Sequence, residues 1–262
     1  MPRTRTLLLG LTLFALALGG CAGKRKPPDK PVKPPTSEAP HPVSGQAGLS
    51  ARQRMIKIAE QEWEFFDRQV VRLDQSGESI PHVGKWEDDG EPWSSRVGLY
   101  WSATGKYDLD GFDCKEPWSA AFISWIMRQS GLSNSQFPAS DAHWHYIQHF
   151  VNRPPSSGSV YVPHKITEYA PRPGDLICAT RGSHGFIPVY DASPASVLSS
   201  HTKLHCDLVT GRKGNILAAV GGNVRNSVSK SLFTLTSQGR LQPTERRPWF
   251  VVLENRLGQP GN

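Results

Sequence analysis

The stretch Glu116-Pro117-Trp118-Ser119-Ala120-Ala121-Phe122-Ile123-Ser124-Trp125-Ile126-Met127-Arg128-Gln129-Ser130-Gly131 reads as one helix with its punctuation in place. Pro117 suits a first helical position, where a missing N–H costs nothing, and Gly131 suits a left-handed stop. Trp118, Ala121, Phe122, Trp125 and Ile126 recur at three- and four-residue spacing, an apolar stripe that a core would cover, while Ala120, Ser124 and Arg128 form the expected solvent arc. Ser119 falls within the apolar arc and in the first turn, where unpaired N–H groups and the helix dipole favour negative charge. A nucleophile placed there would have its developing charge stabilised.

Working outward, Ala51 to Leu73 carries Met55, Ile56, Ala59, Trp63, Phe66 and Val70 on one helical face, with Glu60, Glu62, Glu64 and Arg68 between them. Residues 74–116 are rich in Gly, Pro and Asp, with a short helix expected at Arg96–Ser102. After Gly131, Ser140-Asp141 can cap a helix through His143, Trp144, Tyr146, Ile147 and Phe150. The pattern then turns strand-like. Pro173-Gly174-Asp175 is turn chemistry before Leu176–Thr180, and further strands are expected at His205–Val209, Ile216–Val220, Lys230–Leu235 and Trp249–Leu253. Helices first and antiparallel strands after indicate an α+β domain.

Trp118-Ser119-Ala120-Ala121-Phe122-Ile123-Ser124-Trp125 resembles the helix-start motif of the CHAP amidases and their NlpC-type relatives, papain-like hydrolases of bacterial cell-wall peptides, with Ser119 where those enzymes carry the nucleophilic Cys. More narrowly, the chain after about residue 50 resembles an uncharacterised bacterial domain family with this Ser variant. The resemblance implies a papain-like fold, its central helix packed on a small antiparallel, barrel-like sheet. It implies amide hydrolysis in peptidoglycan or its stem peptides, with Ser119 as nucleophile, His205 as base, and Asn223 of Gly221-Gly222-Asn223 as the group that orients the imidazole. Asp207 shares a sheet face with His205 and is the alternative partner. Trp118, His143 and Tyr146 are candidate substrate contacts; for the last two, packing under the helix is the competing reading. Cys114 is a rival nucleophile, and a catalytically degenerate domain that binds cell-wall peptides or an envelope partner is the rival function.

The N-terminus adds a location. Arg3 and Arg5 precede an apolar run, Leu7 to Leu18, and then Gly19-Gly20-Cys21, which reads as an export signal. Leu18-Gly19-Gly20-Cys21 resembles a bacterial lipobox, implying a lipid anchor on Cys21, and Ala22 after it implies the outer membrane facing the periplasm. Residues 21–50 form a Pro-rich tether, with seven prolines between Lys24 and Pro42; about 25 such residues reach on the order of 75 Å. The domain is expected at 51–256, with 257–262 a tail.

The net charge of +7 does not indicate nucleic acid. Seven of the 30 Lys/Arg and two of the 23 Asp/Glu lie in residues 1–50, which leaves a nearly neutral domain of 23 and 21. No cofactor or metal is expected: His201, His205, Cys206 and Asp207 match no familiar zinc spacing. Outside Cys21, the three cysteines Cys114, Cys178 and Cys206 allow one bridge in an oxidising compartment, with Cys178 and Cys206 on strands expected to be neighbours.

Overall fold

The computed structural model describes residues 48–74, 77–156, 158–181, 193–199, 203–242, 244 and 246–258. The expected export signal at 1–20, the expected lipidation site Cys21, the expected tether up to residue 47, His201 and the last four residues lie outside them. Among the described residues no helix is long and apolar enough to cross a membrane.

The elements run α1 (Ala51–Phe65), β1 (Val70–Asp74), β2 (Gly77–His82), α2 (Glu91–Ser102), α3 (Ser119–Gln129), α4 (His143–Val151), β3 (Tyr161–His164), β4 (Leu176–Arg181), α5 (Pro194–Ser199), β5 (Lys203–Lys213), β6 (Ile216–Val224), β7 (Ser227–Thr234) and β8 (Trp249–Asn255). The strands make one eight-stranded sheet in the order β2-β1-β7-β6-β5-β4-β8-β3. All neighbours are antiparallel except β1 and β7. The class is α+β, as the sequence indicates. The barrel-like closure expected from the resemblance is absent: β2 and β3 are the two ends of an open sheet, and no described pairing joins them.

Helix α3 packs against α1, α2, β5 and β6. It starts two residues after Pro117, with Trp118 as N-cap. It stops at Gly131, whose φ of 88° lets the Gly131 and Leu132 amides bond back to the Arg128 and Met127 carbonyls. Arg54 adds a cation at that end, donating from Nε and a terminal nitrogen to the Ser130 carbonyl at 3.1 and 2.8 Å. The expected solvent arc is wrong for two of its three members: every residue from Ser119 to Met127 is buried. Ser124 tolerates this because its hydroxyl donates to the Ser140 carbonyl at 2.9 Å and accepts from the Ser140 amide at 3.0 Å, so the segment leading into α4 covers that side.

The first helix also differs from its pattern. It ends at Phe65, because Asp67 and Arg68 take left-handed φ values of 56° and 57°, and Val70 onward joins the sheet. Its buried face is Met55, Ile58, Ala59 and Glu62, with a carboxylate inside. Helix α2 is longer than Arg96–Ser102, while β1, β2, β3 and α5 have no counterpart in the expected elements.

Cys178 and Cys206 stand opposite one another on β4 and β5 and form a disulfide, with Cα atoms 4.2 Å apart and a sequence separation of 28. A loop of that length, closed covalently, contributes about 3 kcal/mol by restricting the unfolded chain. The bridge holds the strand that carries His205 and Asp207 on either side of Cys206.

Candidate active site

Ser119 is the first residue of α3 and His143 the first of α4, so the starts of two helices meet. The Ser119 hydroxyl is 2.7 Å from Nε2 of His143. The other ring nitrogen, Nδ1, is hydrogen-bonded to the Tyr146 hydroxyl, one turn along the same face of α4. Ser119 is 2% exposed, His143 5% and Tyr146 0%. Burial first, then the neighbouring charges of His205 and Arg181, hold the His143 pKa well below the ordinary histidine value, so its ring is neutral near pH 7. Burial pushes the Tyr146 phenol well above its usual range, so it keeps its proton.

A neutral imidazole has one N–H and one lone pair, and the two assignments differ chemically. If Nδ1–H donates to the Tyr146 oxygen, Nε2 accepts the Ser119 proton and acts as a base. If the phenol donates to Nδ1, Nε2–H donates to Ser119 and the serine is only held. The first assignment has the geometry of a nucleophile, a base and an orienting group.

His205 stands beside this unit. Its ring meets that of His143 edge to face, centroids 5.5 Å apart, and its Nε2 is 2.8 Å from Oδ1 of Asp207. Burial raises the Asp207 pKa, but the His205 charge, its hydrogen bond and the Arg247 charge outweigh it, so the carboxyl lies below its usual range and is ionised. The histidine on the Ser119 hydroxyl is thus His143, which the sequence suggested as a substrate contact, and not His205. The group that orients His205 is Asp207, the alternative. Asn223 instead takes a left-handed φ of 55° where the β6–β7 register shifts, a backbone position that Asn tolerates.

The two glycines before it fit the strand between the site and the helix. A Cβ at Gly221 would lie 1.8 Å from Oδ1 of Asp207, and one at Gly222 would lie 2.6 Å from the side chains of both Phe122 and Trp118. Gly221 leaves room for the carboxylate and Gly222 for the start of α3.

Trp118 does not line a groove. It is 1% exposed, stacked on Tyr100 at 5.5 Å and flanked by Phe66 and Phe122. Its Nε1–H donates to the Glu87 carboxyl. Nothing in the sequence singles out Glu87, which stands in Trp86-Glu87-Asp88-Asp89-Gly90, a run that reads as a solvated acidic turn. Cys114 is no rival: it is disulfide-bonded and offers no thiol, and its sulfur lies 3.5 Å from the Gly111 carbonyl and 3.8 Å from the Asp88 carboxylate. Among the described residues no group of three His, Cys, Asp or Glu side chains is arranged to hold a metal ion.

Glu87 yields a pH prediction. Burial, opposed by the Trp118 bond and aided by Asp88, pushes its pKa from 4.5 up to about 7. Below 4.5 the carboxyl is protonated in both states. As pH rises toward 7, the unfolded chain loses the proton first, so the stability this group contributes is lost, on the order of 3 kcal/mol. Glu87→Gln keeps an acceptor for Trp118 and removes the titration. Thermal melts at about pH 5 and pH 8 should show the wild type losing stability over that interval and the variant losing markedly less. Equal losses would count against this account.

A family model described as an uncharacterized protein conserved in bacteria (DUF2272) matches residues 81–255. That span holds Glu87, Ser119, His143, Tyr146, His205 and Asp207. No curated protein and no solved structure matches the chain.

Proposed function

Since the chain belongs to that bacterial family, DUF2272, whose description carries no activity, we propose from the site itself that the domain is an amide hydrolase of papain-like arrangement acting on peptidoglycan peptides through Ser119. The observation that carries the reading is the 2.7 Å bond between a helix-start serine and a buried, neutral histidine. In the reaction, Ser119 Oγ attacks the scissile carbonyl carbon and its proton passes to Nε2 of His143. That proton then leaves on the amine as the C–N bond breaks, and water hydrolyses the resulting ester by the same relay. The first-turn amides of α3 have no side-chain cap, so they and the helix dipole are available to the oxyanion. The His205 ring, held by Asp207, packs edge to face on His143 and fixes its position. The choice of cell-wall peptides rests on the resemblance of residues 118–125 to CHAP and NlpC-type enzymes.

A fluorophosphonate probe tests the chemistry. Ser119 should be labelled in the wild type, with no labelling in Ser119→Ala, and digestion of muropeptides should follow the same pattern. An unlabelled Ser119 in folded protein would overturn the hydrolase. The 2% exposure of Ser119 favours a different outcome, in which the site binds cell-wall peptides without turnover. Saturable muropeptide binding with no labelling would establish that reading.

We also propose that the protein is a lipoprotein anchored through Cys21 and facing the periplasm. Mass spectrometry of the mature protein should find a diacylated N-terminal Cys21. An unmodified N-terminus at any other residue would sink the anchor.

A further inference from the structure

Three cations stand in a row at the end of the sheet nearest the site. Arg181, the last residue of β4, is the register partner of Lys203, the first of β5. On the other side Ala179 pairs with Trp249, and the Thr180 amide donates to the Pro248 carbonyl at 3.2 Å, which brings Arg247, just ahead of β8, to the same end of the sheet, where its charge acts on Arg181. Neighbouring strands lie about 4.8 Å apart and side chains alternate, so Lys203 and Arg181 share one face with like charges side by side. His205 and Asp207 are on that face too, since His205 is two residues from Lys203 and pairs with Ala179. The cation row therefore begins about 7 Å along the strand from His205.

Like charges in adjacent strands destabilise a sheet unless an anion answers them. Among the described residues none of the three makes an ion pair. Asp207, which feels the Arg247 charge, accepts its hydrogen bond from His205 through Oδ1, and its Oδ2 is buried with no hydrogen-bond partner. Arg247 Nε is buried with no partner, although a terminal nitrogen reaches the Arg246 carbonyl at 3.4 Å. Burial, and then the Arg247 charge, lower the Arg181 pKa, as expected for a guanidinium crowded by another.

We propose that Arg181 and Arg247, with Lys203 at the rim, bind a carboxylate of the substrate, so that the peptide cut at Ser119 carries a free acidic group close to its scissile amide. A planar guanidinium fork suits a carboxylate, and two forks side by side fix its position as well as its charge. The assignment of the occupant as substrate rests on the hydrolase reading; the anion site does not.

The experiment separates the two. Full-length protein is titrated with glutarate while the arginine Nε–H resonances are followed by NMR. Saturable shifts at Arg181 and Arg247 are expected, with binding at least tenfold weaker in Arg181→Gln and in Arg247→Gln and partly retained in Arg247→Lys. Thermal melts confirm that each variant is folded, and Arg181, at an exposed strand end, provides the milder change. Shifts that never saturate, or that are the same in the wild type and the double variant, overturn the site. In a second arm, cell-wall peptides with free carboxylates are compared with their amidated forms. At least tenfold faster cleavage of the free acids, lost in Arg247→Gln, is the expected result. Glutarate binding together with equal cleavage of both forms overturns the substrate assignment. Glutarate binding with no cleavage of any peptide overturns the hydrolase reading and leaves the anion site standing.

Discussion

Replacing His143 with alanine is expected to slow phosphonylation of Ser119 by about a thousandfold, within the range that a positioned general base contributes. The serine proton has one ring nitrogen within reach, Nε2 of His143 at 2.7 Å, and the next imidazole, that of His205, makes its own bond to Asp207. His205→Ala should therefore cost much less, about tenfold, by removing a ring that packs on His143 and not the base itself. Tyr146→Phe should fall between them, because the ring loses the bond that selects its tautomer. The pH profile gives an independent check. Burial holds the His143 pKa well below the ordinary 6.5, so the base stays unprotonated as pH falls through that value, and the acid limb of labelling should lie below it. An acid limb at or above 6.5, or a larger loss in His205→Ala than in His143→Ala, would return the role of base to His205.

The helix that carries Ser119 was legible because its apolar residues recur at helical spacing and Gly131 can take the left-handed conformation at its end. The strand pairing that joins Cys178 to Cys206 was legible for the same local reasons, turn chemistry followed by short apolar runs. The identity of the histidine on Ser119 was not. His143 begins α4 and His205 is the third residue of β5, and nothing local distinguishes them as partners for Ser119. The choice is made by how α4 docks, with Ser124 receiving the Ser140 backbone on the far side of α3. The same holds for Ala120 and Ser124, small residues that look like a solvent arc until another segment covers them. Glu62 and Glu87 were invisible for a different reason. A buried carboxylate has the sequence signature of an exposed one, and only its partners, Arg96 and Tyr100 in one case and Trp118 in the other, reveal it.

Of these, Glu62 carries the larger stability prediction: Arg96→Met should destabilise the fold by about 3–5 kcal/mol, the cost of leaving a buried charge unpaired. Glu62 has a side chain only 3% exposed, and Arg96 grips it with two bonds, Nε to one oxygen at 2.7 Å and a terminal nitrogen to the other at 2.5 Å. Tyr100 donates a third at 2.5 Å. Methionine keeps most of the side-chain volume but none of the charge, so the carboxylate must either stay buried with one hydroxyl donor or be protonated at a cost. Glu62→Gln in the same background should recover more than half of the loss, because it removes the stranded charge and keeps an acceptor for Tyr100. The effect reaches the active site through contacts already described: Tyr100 stacks on Trp118, and Trp118 caps the helix that begins at Ser119. Urea unfolding of the single and double variants measures the energies, and Ser119 labelling at low urea reads the displacement. A loss under about 1 kcal/mol in Arg96→Met, or no recovery in the double variant, would mean that water replaces the guanidinium and that the network is a surface pair in energetic terms.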